Sequence, residues 1–218
     1  MTLILGNTLE ISNLKSVIDG SAKVELSQDA RNRIEHCFNY LQNKINGSDA
    51  AFYGINTGFG SLCNVKVSKE DLSQLQTNLV MSHACGMGAE VAPELVRLML
   101  ILKVQSLSYG HSGVKPQTVD LLLDFYRNDL LPVVYSQGSL GASGDLAPLA
   151  HLCLPLLGMG EVIYQGVRMN ASEALKKAGL SPINLDAKEG LALLNGTQFM
   201  SALGVYALIH AKNILLAA

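Results

Sequence analysis

The sequence predicts a mainly α-helical fold carrying one small β-hairpin, and three observations lead there. The chain is rich in Leu and Ala, has no Trp and is only 6% aromatic, a composition that suits helices better than sheets. Apolar residues recur at helical spacing in several long segments, with Pro at their starts and Gly at their ends. One stretch, EVIYQGVRM at residues 161–169, instead alternates about a Gln-Gly pair in the manner of a hairpin.

Taken in order, the first 25 residues leave a short strand and a turn both open. Residues 27–41 read as a helix, because Ala30, Ile34, Phe38 and Leu41 share a face. AFYGINTGFGS, residues 51–61, is a glycine-rich loop with two aromatics it can bury. Ser68 and Asp71 are spaced like a capping box, opening a helix through Leu72, Leu75 and Leu79 to about Cys85. Pro93 starts a helix that runs to Gly110 and is apolar on most faces, so it should be central. Pro116 opens another to about Asn128, with Val119, Leu122, Leu123 and Tyr126 on one face. Asp145 is placed to cap a helix through LAPLAHLCLPLLG, kinked near Pro155. Asn170 and Glu173 form a second cap signature, closed by Gly179. From Thr197 a helical pattern reaches Ala218 with no terminal cap, as a chain cut inside a long helix would.

Length and charge narrow the classes. A chain of 218 residues builds one large domain or two small ones and buries a core without staples. Its formal net charge of −2, from 16 basic and 18 acidic residues, and the lack of a basic tract argue against a nucleic-acid partner. Charged residues make up 16%, below the roughly one quarter usual for a soluble domain; surface hidden in an oligomer, or under further chain, would explain this. Cys37, Cys63, Cys85 and Cys153 have no zinc-ligand spacing, so no metal is expected and free thiols in a reducing cytoplasm fit best. MTLILGNTLEISNL has neither a basic n-region nor a long apolar run, which argues against a secretory signal. No membrane span is expected: the nearest stretch, residues 146–163, contains Pro148, His151, Pro155 and Glu161.

The stretch GSLGASGDLAPLAH, residues 138–151, carries unusual chemistry. The Gly144 amide nitrogen can attack the Ala142 carbonyl carbon and close a five-membered ring. Gly144, with no Cβ, permits that approach. Loss of the Ser143 hydroxyl as water then leaves an exposed methylidene carbon. The product, 4-methylideneimidazole-5-one (MIO), is an electrophile, whereas Lys, Cys and Ser side chains are nucleophiles. The same residues also read as an ordinary capping loop, with Asp145 either its N-cap or a polar group that assists dehydration. A serine-hydrolase elbow is excluded, because Gly-x-Ser-x-Gly fails at Asp145.

In its flanks, this stretch closely resembles the signature of the MIO-dependent aromatic amino acid ammonia-lyases, most of all their bacterial histidine-acting members. YGINTGFGSL (residues 53–62), SHACGMG (82–88) and KEGLALLNGTQ (188–198) agree in order and spacing. The resemblance implies a helical lyase fold of which this chain is an N-terminal portion. It also implies MIO formed autocatalytically from Ala142, Ser143 and Gly144, a homotetramer, and non-oxidative deamination of L-histidine to trans-urocanate and ammonia. Tyr53 is then the base on a loop that Gly54, Gly58 and Gly60 allow to close; a tyrosine base working near neutrality needs positive potential nearby, such as helix N-termini. His83 meets the substrate side chain. A His suits an imidazole first, a phenol second and a phenyl ring third, because a buried polar group left unpaired is costly. Asn195 orients the substrate's polar end and steadies the electrophile.

Each residue also has a plainer reading: Tyr53 as a core-capping tyrosine, His83 as a satisfied helix histidine, Asn195 as a helix boundary. His111, His151 and His210 are read as structural, and Lys188 and Glu189 as possible support for the site. Family members are more than twice as long, and their carboxylate-binding arginine lies farther on; Arg97, Arg127 and Arg168 do not match its motif. The chain alone is therefore expected to be inactive. Cys85, Met87 and Leu140 replace residues of other volume common in the family, which changes fit without removing chemistry. The rival readings are a tyrosine ammonia-lyase or aminomutase, and a catalytically silent helical assembly module.

Overall fold

The computed structural model describes residues 2–48, 50–58, 65–140 and 144–217. The open N-terminal stretch resolves into β1 (Thr2–Leu5) and β2 (Lys23–Leu26), paired in parallel with Leu3 opposite Val24 and Leu5 opposite Leu26. A 3-10 turn (Ile11–Leu14) and α1 (Lys15–Ile18) make the crossover. Leu3 and Leu5 alternate inward, which sets the register.

Helix α2 (Gln28–Asn46) starts where expected, with Ser27 Oγ accepting from the Ala30 amide at 3.1 Å, and runs about one turn longer than the apolar pattern suggested. No breaker precedes Gly47, and Ile45 extends the buried face. Helix α3 (Leu72–His83) begins one turn after Ser68. Ser68 Oγ contacts both the Asp71 amide (3.3 Å) and its carboxylate (2.8 Å), but residues 69–71 remain a turn. The helix also stops short of Cys85: the chain reverses at Ala84 and enters β3 (Met87–Glu90).

Helix α4 (Pro93–Leu107) is central, with Leu98, Met99, Leu100, Ile101 and Val104 all fully buried. Against it pack α5 (Pro116–Arg127) and α9 (Gln198–Ala217). The expected hairpin is β6 (Glu161–Tyr164) with β7 (Val167–Asn170). Gln165 (φ 52°) and Gly166 (φ 76°) both take positive φ, as a two-residue type I′ turn requires. Two further pairings had no alternating pattern to announce them. Strand β4 (Leu131–Pro132) adds to β6, and β5 (Tyr135–Gln137) pairs antiparallel with β3.

Helix α6 (Leu146–Cys153) gives way before Pro155 to a 3-10 turn (Leu154–Leu157). Helix α7 (Ala171–Lys177) follows Asn170, whose side chain makes no cap bond, so that expected capping box is absent. A short α8 (Glu189–Leu194) was not foreseen. Along α9 only Gln198, Phe199 and Ala202 are buried, while Met200, Leu203, Leu208 and Ile214 are exposed. By length and composition α9 is long and apolar enough to cross a membrane, contrary to the expectation that no segment was.

Candidate active site

The carboxyl end of the Ala142-Ser143-Gly144 tripeptide meets the turn between α8 and α9. Gly144 and Gly196 form a parallel bridge, and the Asp145 amide donates to the Gly196 carbonyl at 3.0 Å. Gly144 has φ +102°, and a Cβ added there would lie 2.0 Å from the Gly196 oxygen. Real Cβ atoms essentially never approach below 3.0 Å, so this backbone contact exists only because residue 144 is glycine. Gly141, Ala142 and Ser143 themselves lie outside the described residues.

Asp145 fixes both flanks of that segment. It is 1% exposed. Its Oδ1 accepts from Ser139 Oγ at 2.7 Å, and its Oδ2 accepts from the Met200 amide at 2.9 Å. The expectation that Asp145 caps its own helix is therefore corrected: it makes no cap bond to α6 and instead satisfies an amide in the first turn of α9. A carboxylate is favoured there by the helix dipole and the unpaired amides.

On the other side of the same turn stands Lys103 of α4, 1% exposed. Its Nζ donates to the Asn195 carbonyl (2.8 Å), the Ala192 carbonyl (3.0 Å) and Gln198 Oε1 (3.4 Å). Burial lowers its pKa from 10.5 to about 8, against the opposing pull of Cys153 and Asp145. Burial also pushes the Cys153 thiol up to about 12. Asn195 is exposed, and its own amide donates to Leu191 O at 3.0 Å as the last bond of α8.

His83 closes α3, with Nδ1 2.8 Å from Leu79 O and 3.2 Å from Ser82 Oγ. The turn that follows is held by His151 of α6, whose Nε2 accepts from the Gly86 amide at 3.0 Å. His151 also meets Tyr135 edge-on, ring centroids 5.0 Å apart. Burial lowers the His151 pKa, which suits a ring nitrogen that accepts a hydrogen bond. A Cβ on Gly138 would come within 3.2 Å of Gly86 Cα, so the turn after His83 is seated on the start of the 138–151 stretch. Helices α3 and α8 also approach closely: a Cβ on Gly190 would lie 2.7 Å from Gln76 O, and Gln76 Oε1 accepts from the Leu191 amide at 3.3 Å.

Glu189 is fully buried at the start of α8. It accepts from Thr118 Oγ1 (2.6 Å), the Lys115 amide (3.0 Å) and the Asp186 amide (2.8 Å). These bonds tie α8 to the start of α5, while Lys188 Nζ reaches Ser112 O. Tyr53 stands on a turn whose anchor is Asn56, which accepts from the Phe52 amide at 2.6 Å and donates to Ala50 O at 2.9 Å. Ile55 and Val67 seat that loop on a small separate cluster of Leu41, Ile45, Leu72 and Ala187. Tyr53 is 62% exposed.

The described bonds thus bring Gly144 to the Asn195 turn and the His83 turn to the same stretch, while the Tyr53 loop is held by other contacts. Sequence reasoning missed Lys103 and treated His151 as structural. A lysine inside a mostly apolar helix, directly after the run LMLIL, was the available signal. Among the described residues, no group of three or more His, Cys, Asp or Glu could hold a metal ion.

Known proteins resemble this chain in sequence and in fold. The family model for the aromatic amino acid lyases matches residues 9–218. The chain is 50% identical to histidine ammonia-lyase of Deinococcus radiodurans over 98% of its own length and 40% of that protein, and 47% identical to histidine ammonia-lyase of Myxococcus xanthus over 97% and 42%. Its structure superposes on histidine ammonia-lyase from Trypanosoma cruzi with a TM-score of 0.89 at 38% identity, covering 98% of this chain and 42% of that one. It also superposes on a tyrosine aminomutase from Streptomyces globisporus with a TM-score of 0.86 at 30% identity, covering 94% and 38%. The chain spans about two fifths of the length of these relatives.

Proposed function

The chain belongs to the aromatic amino acid lyase family, and we propose that the complete protein deaminates L-histidine to trans-urocanate and ammonia without oxidation. The observation that carries this reading is the meeting of Gly144 with the Asn195–Gly196 turn, beside a stretch that also seats the His83 turn. The residues fit the MIO group, because Gly144 occupies a cradle that any Cβ would fill. Ala142, Ser143 and Gly144 would form it, and it supplies an electron sink that ordinary side chains lack.

The chain's own groups do the rest. The contact of His83 Nδ1 with Leu79 O leaves Nε2 as the nitrogen to meet the substrate imidazole. Asn195, whose backbone is locked from both sides, has an exposed side chain that orients the substrate's polar end. Tyr53 takes the β-proton once its loop closes. The substrate carboxylate needs a cation from elsewhere. Arg97 pairs with Asp129, Arg127 with Asp124, and Arg168 with Glu90 and Glu161, so each is committed away from Gly144. On this reading the chain is the MIO-bearing N-terminal part of a larger cytoplasmic homotetramer and is inactive alone.

The test is turnover by the complete protein with histidine, tyrosine and phenylalanine, following ammonia and the unsaturated acid. Histidine should be preferred. Preference for tyrosine would move the assignment to a tyrosine ammonia-lyase, a β-amino acid product would make it an aminomutase, and an intact Ser143 would leave a silent module. The likeness to a tyrosine aminomutase, together with a His83 able to bond a phenol, makes tyrosine the second reading.

A further inference from the structure

We propose that Lys103 is the positioning residue of the MIO site: its ammonium, reaching from α4, clamps the Asn195–Gly196 turn against Gly144 and so sets the geometry in which the tripeptide closes. The inference rests on the ring-forming reading above.

Three observations support it. First, the three oxygens that Lys103 contacts belong to the end of α8, the turn itself and the start of α9, so one group spans the whole junction. Two of them are carbonyls at the carboxyl end of a helix, where a cation is electrostatically favoured. Second, most of the helix around it is apolar. Leu98, Met99, Leu100, Ile101, Val104 and Leu107 on the same helix are all buried. A buried ammonium is costly there, and an apolar side chain of similar size would serve packing as well or better. Third, two buried charged groups act on the segments that meet at this contact. Asp145 holds Ser139 and Met200, and Lys103 holds Asn195 and Gln198. The same segments are joined by the Gly144–Gly196 bridge.

Ring closure forms a bond from the Gly144 nitrogen to the Ala142 carbonyl carbon and expels that oxygen as water. A second water leaves with the Ser143 hydroxyl and its α-proton. No oxidant or outside reactant is needed, and no proton has to come from Lys103. The bend must be held, and the Gly196 carbonyl, fixed at 3.0 Å from the Asp145 amide, holds it. If the turn slackens, Gly144 is released.

The experiment compares the complete protein with its Lys103→Met and Lys103→Arg variants. For each, the folded fraction is measured, together with the mass of the peptide containing residues 142–144. The wild-type peptide should be two waters lighter than its sequence. K103M should fold yet carry at least tenfold less dehydrated peptide per folded molecule, and K103R should restore part of it. If K103M does not fold, Gln198→Met removes one arm of the clamp and should lower the dehydrated fraction severalfold. Dehydration at the wild-type level in K103M, or in Q198M where K103M cannot be read, overturns the inference while leaving the proposed function standing. An undehydrated wild-type peptide overturns both.

Discussion

Replacing Gly144 with Ala should damage this protein more than the same change at another positive-φ glycine. Two effects add. At φ +102° an L side chain is strained, by about 1–2 kcal/mol. The new Cβ would also lie 2.0 Å from Gly196 O and 2.8 Å from Gly196 C. Both are backbone atoms, so no rotamer change relieves the clash. The turn must retreat by about 1 Å to reach even the 3.0 Å floor of real contacts. That breaks the bond from the Asp145 amide to Gly196 O. A buried amide left unpaired costs about 1–3 kcal/mol, for a total of roughly 2–5 kcal/mol. Gly166→Ala is the control: φ is +76°, but nothing lies within 4 Å, so only the strain of about 1–2 kcal/mol remains. Gly196→Ala should fall between them, because its Cβ would meet the movable end of Gln198 at 2.2 Å. Urea unfolding of the complete protein, compared at constant m, gives the ranking. A G144A variant no less stable than G166A would refute the idea that Gly144 is held by backbone contact.

Three further outcomes follow from the same geometry. Asp145→Ala removes the charged acceptor of the Met200 amide and the Ser139 hydroxyl and should lower stability by about 1–3 kcal/mol, read as a shift of the urea midpoint. His151 has a folded pKa below its ordinary 6.5 because of burial. Protons therefore bind the unfolded chain more readily; stability is fully present above pH 6.5 and falls as pH drops below it. The midpoint should follow that course in the wild type and flatten in His151→Gln, and an equal slope in both would exclude His151 as the source. His83→Leu removes the ring proposed to meet the substrate and leaves a buried imidazole unpaired. It should reduce kcat/KM for histidine by about 10- to 100-fold while sparing a phenyl substrate, and a loss equal for both substrates would place His83 outside the side-chain pocket.

The helices were legible because their signals are local. Pro93 and Pro116 set starts, and Gly110, Gly158 and Gly179 take the left-handed conformations that stop a helix. The pairings of β1 with β2 and β3 with β5 were not legible. Each strand has only three or four residues, too few for alternation to stand out, and each partner is chosen by tertiary position. The capping expectations failed in a related way. Asp145 and Asn170 occupy N-cap positions, but neither side chain caps its own helix. Asp145 is drawn instead to an amide 55 residues away. Sequence spacing sees only the nearer claimant.

The same contrast explains the candidate site. The reagent proposed for it is local, three consecutive residues whose chemistry can be written from their identities, and so it could be proposed from the sequence. Its geometry is not. Gly144 is fixed by Gly196, Gly86 by His151, and Asn195 by Lys103, pairs separated by 52, 65 and 92 residues. Lys103 shows why such residues escape a reading by type. On α4 its position falls among core side chains, and a lysine there looks like an exception to be explained by a stem that reaches solvent. It is 1% exposed instead, with every described acceptor lying on the junction that meets Gly144. A buried charge with no solvent outlet carries a desolvation cost, and what Lys103 holds is the turn that meets Gly144.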